Sequence, residues 1–314
     1  MKIVVTGALG HIGSYLIRYL PTVFSNCEII MLDNLLTQRY PSLFNLPKTG
    51  NYQFLETDVT SADITPMLNG ANVVVHLAAI TNATASFDNK EEVESVNFVA
   101  TEKVANACLL AGVPMILASS TSVYGTQEEQ VDENCGPEEL KPQSPYAETK
   151  LREEALISDL VNNNGMKAII FRYGTIFGDS PGMRFHTAVN KFCWQAVMKQ
   201  PLTVWETAYD QKRPYLALSD CARAIAFVIE NNLFDGQVYN VVTENLTVRQ
   251  VIDEIRQHVS NLDVNFVESK IMNQLSYEVL NTKMTQAGFK IEGNLKAGIS
   301  NTIELLNRSN SLCR

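Results

Sequence analysis

Short blocks of apolar, β-branched residues alternate along the first half of this chain with longer stretches whose apolar positions recur every three or four residues. Lys2-Ile3-Val4-Val5-Thr6 reads as a strand and Ser14 to Leu20 as the helix after it. Cys27 to Asp33, Tyr52 to Glu56, Asn72 to Ala79 and Pro114 to Ala118 read as further strands, several of them apolar without alternation, as expected when helices cover both faces of a sheet. Asp88 to Ala111 reads as a long helix. Ser144-Pro145 opens another, with proline in its first turn. Strand, helix, strand in repetition predicts an α/β fold with a doubly wound parallel sheet and a ligand crevice at the carboxyl ends of its strands.

From about Phe177 the order changes. Asp179-Ser180-Pro181-Gly182 breaks the chain, and Met183 to Lys199 reads as helix. Leu202 to Trp205 and Arg213 to Leu218 read as strands, and Ser219-Asp220 reads as the cap of a helix through Ile229. Val238 to Val241, a Thr247-capped helix and a last helix over about 295–306 follow. The expected division is 1–176 and 177–314, with some segments of the second part returning to the main sheet.

Chemistry enters at the first turn. Glycines at 7, 10 and 13 sit between a strand and a helix, where they let the backbone approach a diphosphate while the helix N-terminus favours its charge. Asp33 ends the next strand about 20 residues further on, where a carboxylate accepts from ribose hydroxyls and repels a 2′-phosphate. The expected ligand is a dinucleotide, NAD rather than NADP. Asn34 to Gly50 is too rich in Pro, Asn and Thr to extend the sheet, and lines either the adenosine pocket or a partner surface. Asp58 accepts from the adenine amino group or caps a turn. Gln127 to Pro142 is an acidic excursion able to cover a site.

Tyr146 and Lys150 are four residues apart on one helix and so share a face. A neighbouring ammonium stabilises tyrosinate and makes the phenol a usable acid or base near neutral pH.

Bulk composition removes other classes. The chain has 314 residues, 46% hydrophobic and 19% charged, with a net charge of -9. It offers no basic field to nucleic acid or an anionic membrane, so an anionic substrate must be held by local arginines. No charged and then apolar leader and no membrane-length apolar run is present in the sequence. The six cysteines and four histidines show no metal-ligand spacing, so no metal is expected. Reduced thiols in a cytoplasmic protein are the reading that follows.

Taken together, the glycine triplet, Asp33, Asp58-Val59, His76-Leu77-Ala78-Ala79, Asn97, Ser119 to Gly125, Tyr146-x-x-x-Lys150 and Arg172 to Gly178 resemble the extended short-chain dehydrogenase/reductase family. Within it they are most similar to the NAD-dependent nucleotide-sugar epimerases and dehydratases. The resemblance implies a Rossmann domain followed by a smaller α/β part that binds the nucleotide sugar. It implies Tyr146 as the base, Lys150 as holder of the nicotinamide ribose, and Ser120 as the hydroxyl on the reacting oxygen. The cofactor would be held by Gly7, Gly10, His11, Ile12, Gly13, Asp33, Asn34, Asp58, Val59, Leu77, Ala78, Ala79, Asn97, Ser119, Tyr146, Lys150 and Tyr173.

Toward the sugar the resemblance implies Thr121, Ser122, Thr175, Arg184, Asn190 and Arg213, the last gripping the diphosphate. Related 4,6-dehydratases carry one or two acids where this chain has Thr121 and Ser122, so the expected activity is epimerisation, by transient oxidation at C4 and return of hydride to the other face. A 4-dehydrogenase or 4-reductase, a 4,6-dehydratase, and a non-catalytic NAD sensor are the alternatives. Many UDP-hexose epimerases have asparagine in place of Thr175, so UDP, dTDP, GDP and CDP sugars all remain open. A homodimer through the helices at about 88–111 and 145–164 is also implied.

Overall fold

The computed structural model describes residues 1–81, 90–125, 129–268 and 276–310. In chain order the first half runs β1 (Lys2–Thr6), α1 (His11–Val23), β2 (Glu28–Asp33), β3 (Asn51–Glu56), β4 (Val73–His76), α2 (Lys90–Ala111), β5 (Met115–Ser120), β6 (Gln130–Val131), α3 (Pro145–Asn164) and β7 (Ala168–Tyr173). Then follow β8 (Thr175–Phe177), α4 (Ala188–Val197), β9 (Leu202–Trp205), β10 (Lys212–Ala217), α5 (Leu218–Asn231), β11 (Val238–Val241) and β12 (Glu244–Thr247). The chain closes with α6 (Val248–Arg256), β13 (Val264–Val267), β14 (Glu278–Val279), α7 (Thr282–Gln286) and α8 (Leu295–Asn310). Residues 88 and 89, expected at the start of the long helix, and 127–128 of the acidic excursion lie outside the described residues.

Seven strands pair in the order β11-β7-β5-β4-β1-β2-β3, and every pairing between them is parallel. The doubly wound sheet expected from the alternation is present. Because strand side chains point alternately to opposite faces, Ile3 and Val5 enter one core and Val4 the other. The first core takes Leu16, Ile17 and Leu20 of α1 with Ala222, Ile225 and Ile229 of α5; the second takes Val104 and Cys108 of α2 with Ile157 and Leu160 of α3. The order in which strands are laid down reverses between β1 and β4, which opens the crevice at their carboxyl ends.

Beyond 177 the chain adds β11 to the edge of this sheet and α5 to its face, and gathers a separate core. That core joins Phe177, Phe192, Val204, Ile252 and Ile299 around α4, α6 and α8, beside the small sheets β12-β10-β8 and β13-β9. The acidic excursion is tied down by β6, which pairs with β14. Among the described residues no helix is long and apolar enough to cross a membrane.

Two local expectations are corrected. The helix expected over 183–199 begins only at Ala188. Tertiary bonds take the backbone before it: Gly182 N–H donates to Ser14 Oγ at 2.9 Å, Arg39 donates to Gly182 O, and Asn190 Nδ2 donates to Arg184 O. Asp220 does not cap α5, whose N-cap is Ala217 with no side-chain bond. It lies inside the helix, fully buried, and accepts from the Glu292 and Gly293 N–H groups, Thr243 Oγ1 and Arg223. A helical aspartate thus bolts the loop ahead of α8 to α5. Asp220→Ala would strand several buried donors, and should lower stability by about 3 kcal/mol, read as a lower urea midpoint with an unchanged slope.

Candidate active site

The crevice is built first from backbone. Gly7 has φ of +64°, and a Cβ there would lie 2.7 Å from the Ala78 nitrogen; one on Gly13 would lie 2.4 Å from Gly7 O. The turn after β1 is therefore pressed against both α1 and the end of β4, at separations only glycine permits. The first turn of α1 faces a cavity of about 480 Å³. Gly7, Gly10, His11, Ile12, Gly13, Asp33, Asn34, Asp58, Val59, Leu77, Ala78 and Ala79 all line it.

Each end of the cavity has its own chemistry. Asp33 at the tip of β2 accepts from Leu9 N–H and Leu35 N–H, both at 3.0 Å, which orients its carboxylate at the mouth of the turn. Asp58 accepts from the backbone and hydroxyl of Thr60, which hold its carboxyl below the usual range, and from Asn34 Nδ2. At the other end His11 shares its Nδ1 with Ser180 Oγ at 3.1 Å, while its buried Nε2 has no partner among the described residues. Burial first, then the nearby Arg184, Arg39 and His186, pull His11 down to about 3, so it is neutral. Burial and the same arginines bring His186 to about 4.

Arg39, Thr37, Thr60 and His186 also line the cavity and were not singled out by sequence. Arg39 lies in the polar stretch after Asp33, and its bond to Gly182 O holds it at the cavity. Arg184, expected on the sugar side, borders the cavity next to Thr81, to whose hydroxyl it donates, and its charge also faces Tyr146. Burial brings its guanidinium down to about 10.

Asn97, expected to help hold the cofactor, does not itself line the cavity. Its Oδ1 accepts from Ile80 N–H at 2.7 Å and its Nδ2 donates to Ile80 O at 2.9 Å, so it clamps the cavity wall directly. Ser119 and Tyr173 do not reach the lining. The Ser119 hydroxyl donates to Glu154 at 2.5 Å, and Tyr173 packs in the main core 5.6 Å from the Phe171 ring.

Beyond Arg184 lies the expected catalytic group. Ser144 Oγ accepts from Ala147 N–H and fixes the start of α3, which sets Tyr146 half-buried and Lys150 buried on one face. The Lys150 ammonium is 5.8 Å from the centroid of the Tyr146 ring. Burial alone would draw Lys150 down, but the Glu153 carboxylate at 2.9 Å more than reverses this and holds it above the ordinary lysine value. Ser120 Oγ accepts from Ser122 N–H at 3.2 Å, which leaves its own O–H to donate outward.

The residues expected at the sugar are not all alike. Ser122 Oγ is buried and has no partner among the described residues, whereas the buried Thr121 hydroxyl donates to Tyr173 O at 3.2 Å. Asn190 is fully buried and joins Gly178 to Arg184 through backbone bonds, so it shapes the loop rather than facing a ligand. Thr175, half-buried, pairs with Tyr215 across β8 and β10. Arg213 is half-buried between Tyr215 and Tyr277, donates to Gln211 Oε1 at 2.5 Å, and is lowered by burial.

These features fit NAD. The glycine cradle would be filled by any Cβ, the buried His11 Nε2 is unpartnered, and a carboxylate stands at the ribose end.

Comparison with known proteins agrees. The NAD dependent epimerase/dehydratase family matches residues 3–241. An uncharacterized UDP-glucose epimerase of Bacillus subtilis is 30% identical over 265 residues, 81% of each chain. A trifunctional enzyme of Arabidopsis thaliana that includes UDP-glucose 4,6-dehydratase is 28% identical over 96% of this chain, which spans only 46% of its length. A crystal structure of UDP-glucuronic acid 4-epimerase from Bacillus cereus, with UDP-glucuronic acid and NAD, matches with a TM-score of 0.86 at 25% identity, over 98% of this chain and 100% of that one. With a parallel sheet, a glycine-lined dinucleotide crevice and, beyond Arg184 and outside the lining, a Tyr-Lys pair on α3, the chain belongs to the NAD dependent epimerase/dehydratase family and its cofactor is NAD.

Proposed function

We propose that this chain is a nucleotide-sugar 4-epimerase acting on a UDP-hexose, with residues 1–176 holding NAD and 177–314 the nucleotide sugar. The observation that carries this reading is a tyrosine–lysine pair on α3, which packs against the segment after β5 where the Ser120 and Ser122 hydroxyls stand and positions 121 and 122 carry no carboxylate. Elimination of water from a sugar needs an additional acid and base, and this segment supplies neither. Two relatives named above act on UDP sugars, which supports the nucleotide.

Bound NAD supplies a hydride acceptor that can also give hydride back. The work of the protein is positional and electrostatic. Tyr146, with the Lys150 ammonium beside it, is the base that takes the proton from the sugar C4 hydroxyl as that carbon is oxidised to a ketone. The Ser120 O–H donates to the same oxygen and steadies its charge. The ketosugar turns within the cavity, and Tyr146 returns the proton when the opposite face is reduced. Arg213 holds the diphosphate by charge-assisted bonds, so that only the sugar end moves.

A homodimer through α2 and α3, which pack against each other and leave Leu110 79% exposed, is part of the same proposal. So are a cytoplasmic location, suggested by the free cysteines at 27, 108, 135, 193 and 221, and a role in supplying sugars for polysaccharide.

Proton NMR of the purified protein with a slight excess of NAD and a panel of UDP, dTDP, GDP and CDP sugars tests the reading. A 4-epimer should form from a UDP-hexose with the nicotinamide signals unchanged; growth of reduced nicotinamide in step with a ketosugar would make the enzyme a dehydrogenase. Tyr146→Phe should lower turnover about 1000-fold while NAD stays bound, and retained turnover would remove Tyr146 as the base. Arg213→Ala should weaken binding of the UDP-sugar roughly 10- to 100-fold by calorimetry, with NAD binding unchanged.

A further inference from the structure

Lys150 does not stand alone behind Tyr146. Its Nζ donates to Glu153 Oε2 at 2.9 Å, and the two side chains are 4% and 0% exposed. The same oxygen accepts from Thr101 Oγ1 of α2 at 3.0 Å, and Thr101 Oγ1 is 3.2 Å from His76 Nε2 on β4. His76 Nδ1 is 2.7 Å from Thr6 Oγ1 on β1. Thr6 Oγ1 already accepts from the N–H groups of Leu77 and Ala78, both at 3.2 Å.

Only one arrangement of protons satisfies this line. Because Thr6 Oγ1 accepts twice from backbone, its O–H goes to His76 Nδ1. Burial, assisted by the Lys150 charge, lowers His76 to about 3, so its single proton is on Nε2 and goes to Thr101. The Thr101 hydroxyl then donates to Glu153. All the donors along the line point one way, and they end on the oxygen that holds Lys150. The line begins at the wall of the NAD cavity and crosses β1, β4, α2 and α3.

We propose that Glu153 is a positioning residue for the redox step: its carboxylate, aimed by the Thr6–His76–Thr101 line, keeps the Lys150 ammonium charged and fixed beneath Tyr146. The assignment rests on the proposed roles of Tyr146 and Lys150. Tyr146, Lys150 and Glu153 follow at four and three residues on one face of α3, so the ammonium lies between phenol and carboxylate and the phenol feels the nearer, positive charge. Without a carboxylate, so buried an ammonium tends to lose its proton.

The other charged groups facing this pair are few. His76 on β4 is neutral. Glu154 on α3 is closed in a pair with Arg172 of β7, with contacts of 2.7 and 3.0 Å. Arg184, ahead of α4, faces Tyr146. Of these, His76 is linked to Glu153 through Thr101 and Glu154 faces it by charge, whereas the Arg172 partner of Glu154 and Arg184 make no bond to Glu153.

The test follows Lys150 itself, through the carbon NMR signal beside its ammonium in the NAD-loaded enzyme, assigned by its loss in Lys150→Met. In the unchanged protein the signal should not titrate below the ordinary lysine range. In Glu153→Gln its midpoint should fall by about 1 unit or more, a 10-fold loss of proton affinity, and Glu153→Asp should keep most of the original value. A purely structural role would lower thermal stability and leave the midpoint where it was, which would overturn the proposal. If Glu153→Gln does not fold, Thr101→Val, which removes the donor that aims the carboxylate, should move the midpoint the same way by less; an unmoved midpoint there overturns it equally. With UDP-glucose as probe, turnover of Glu153→Gln should gain an alkaline limb that follows the lysine midpoint, and turnover flat across that midpoint would overturn the link to the reaction. Absence of turnover in the unchanged enzyme with every sugar would sink the proposed function alone, since the lysine titration needs no sugar.

Discussion

The close approach of the turn after β1 to the end of β4 is the constraint on which the rest of this molecule depends. Gly7 lies where a Cβ would strike the Ala78 nitrogen, and Gly13 where one would strike Gly7 O. Neighbouring strands in the sheet set the separation of β1 and β4, and the apolar faces of α1 set the helix behind them. Between those two packings only a turn without side chains fits. The result is a helix N-terminus opened toward the place where the strand order of the sheet reverses, with polar residues gathered around it.

The charges of the site answer a problem posed by composition. With a net charge of -9, the protein repels anions over its surface as a whole. Its arginines in the crevice are instead brought in by backbone bonds, Arg39 to Gly182 O and Asn190 to the carbonyl of Arg184. Burial lowers both guanidiniums, and it keeps His11 and His186 neutral beside them. A diphosphate entering the crevice meets fixed positive groups that have already shed much of their water, which strengthens each contact.

The catalytic end is polarised in the same manner but through a different network. Lys150 is held by Glu153, and Ser119 by the Glu154–Arg172 pair, so adjacent carboxylates on α3 organise two sides of the proposed reaction centre. Glu153 and Glu154 follow one another on the helix and serve different strands: one reaches toward β4 through Thr101, the other toward β5 and β7. Buried carboxylates persist here because each is paired with a cation and accepts further hydrogen bonds. Tyr146, on the same helix, is half-buried where Lys150, Glu153 and Glu154 are buried.

The parallel sheet was legible in the chain because apolar runs buried on both faces, glycine spacing and a strand-ending acid are local patterns. Asp33, Asp58 and the cluster Leu77-Ala78-Ala79 could be placed on the crevice for that reason, as could the shared face of Tyr146 and Lys150, which helical geometry alone imposes. Side-chain roles that depend on distant partners were not legible. Nothing local marks Ser119, Thr121 or Asn190 as engaged with Glu154, Tyr173 O and Gly178, nor Asp220 as the anchor of a loop 72 residues away rather than a helix cap. Arg39 and the Thr6–His76–Thr101–Glu153 line come together only across separate strands and helices. Local sequence determined which segments would be strand, turn and helix, since backbone sterics and periodicity act over a few residues. Tertiary packing decided which polar groups remain free to react, because a buried donor or acceptor must find a partner and the partners come from anywhere in the fold.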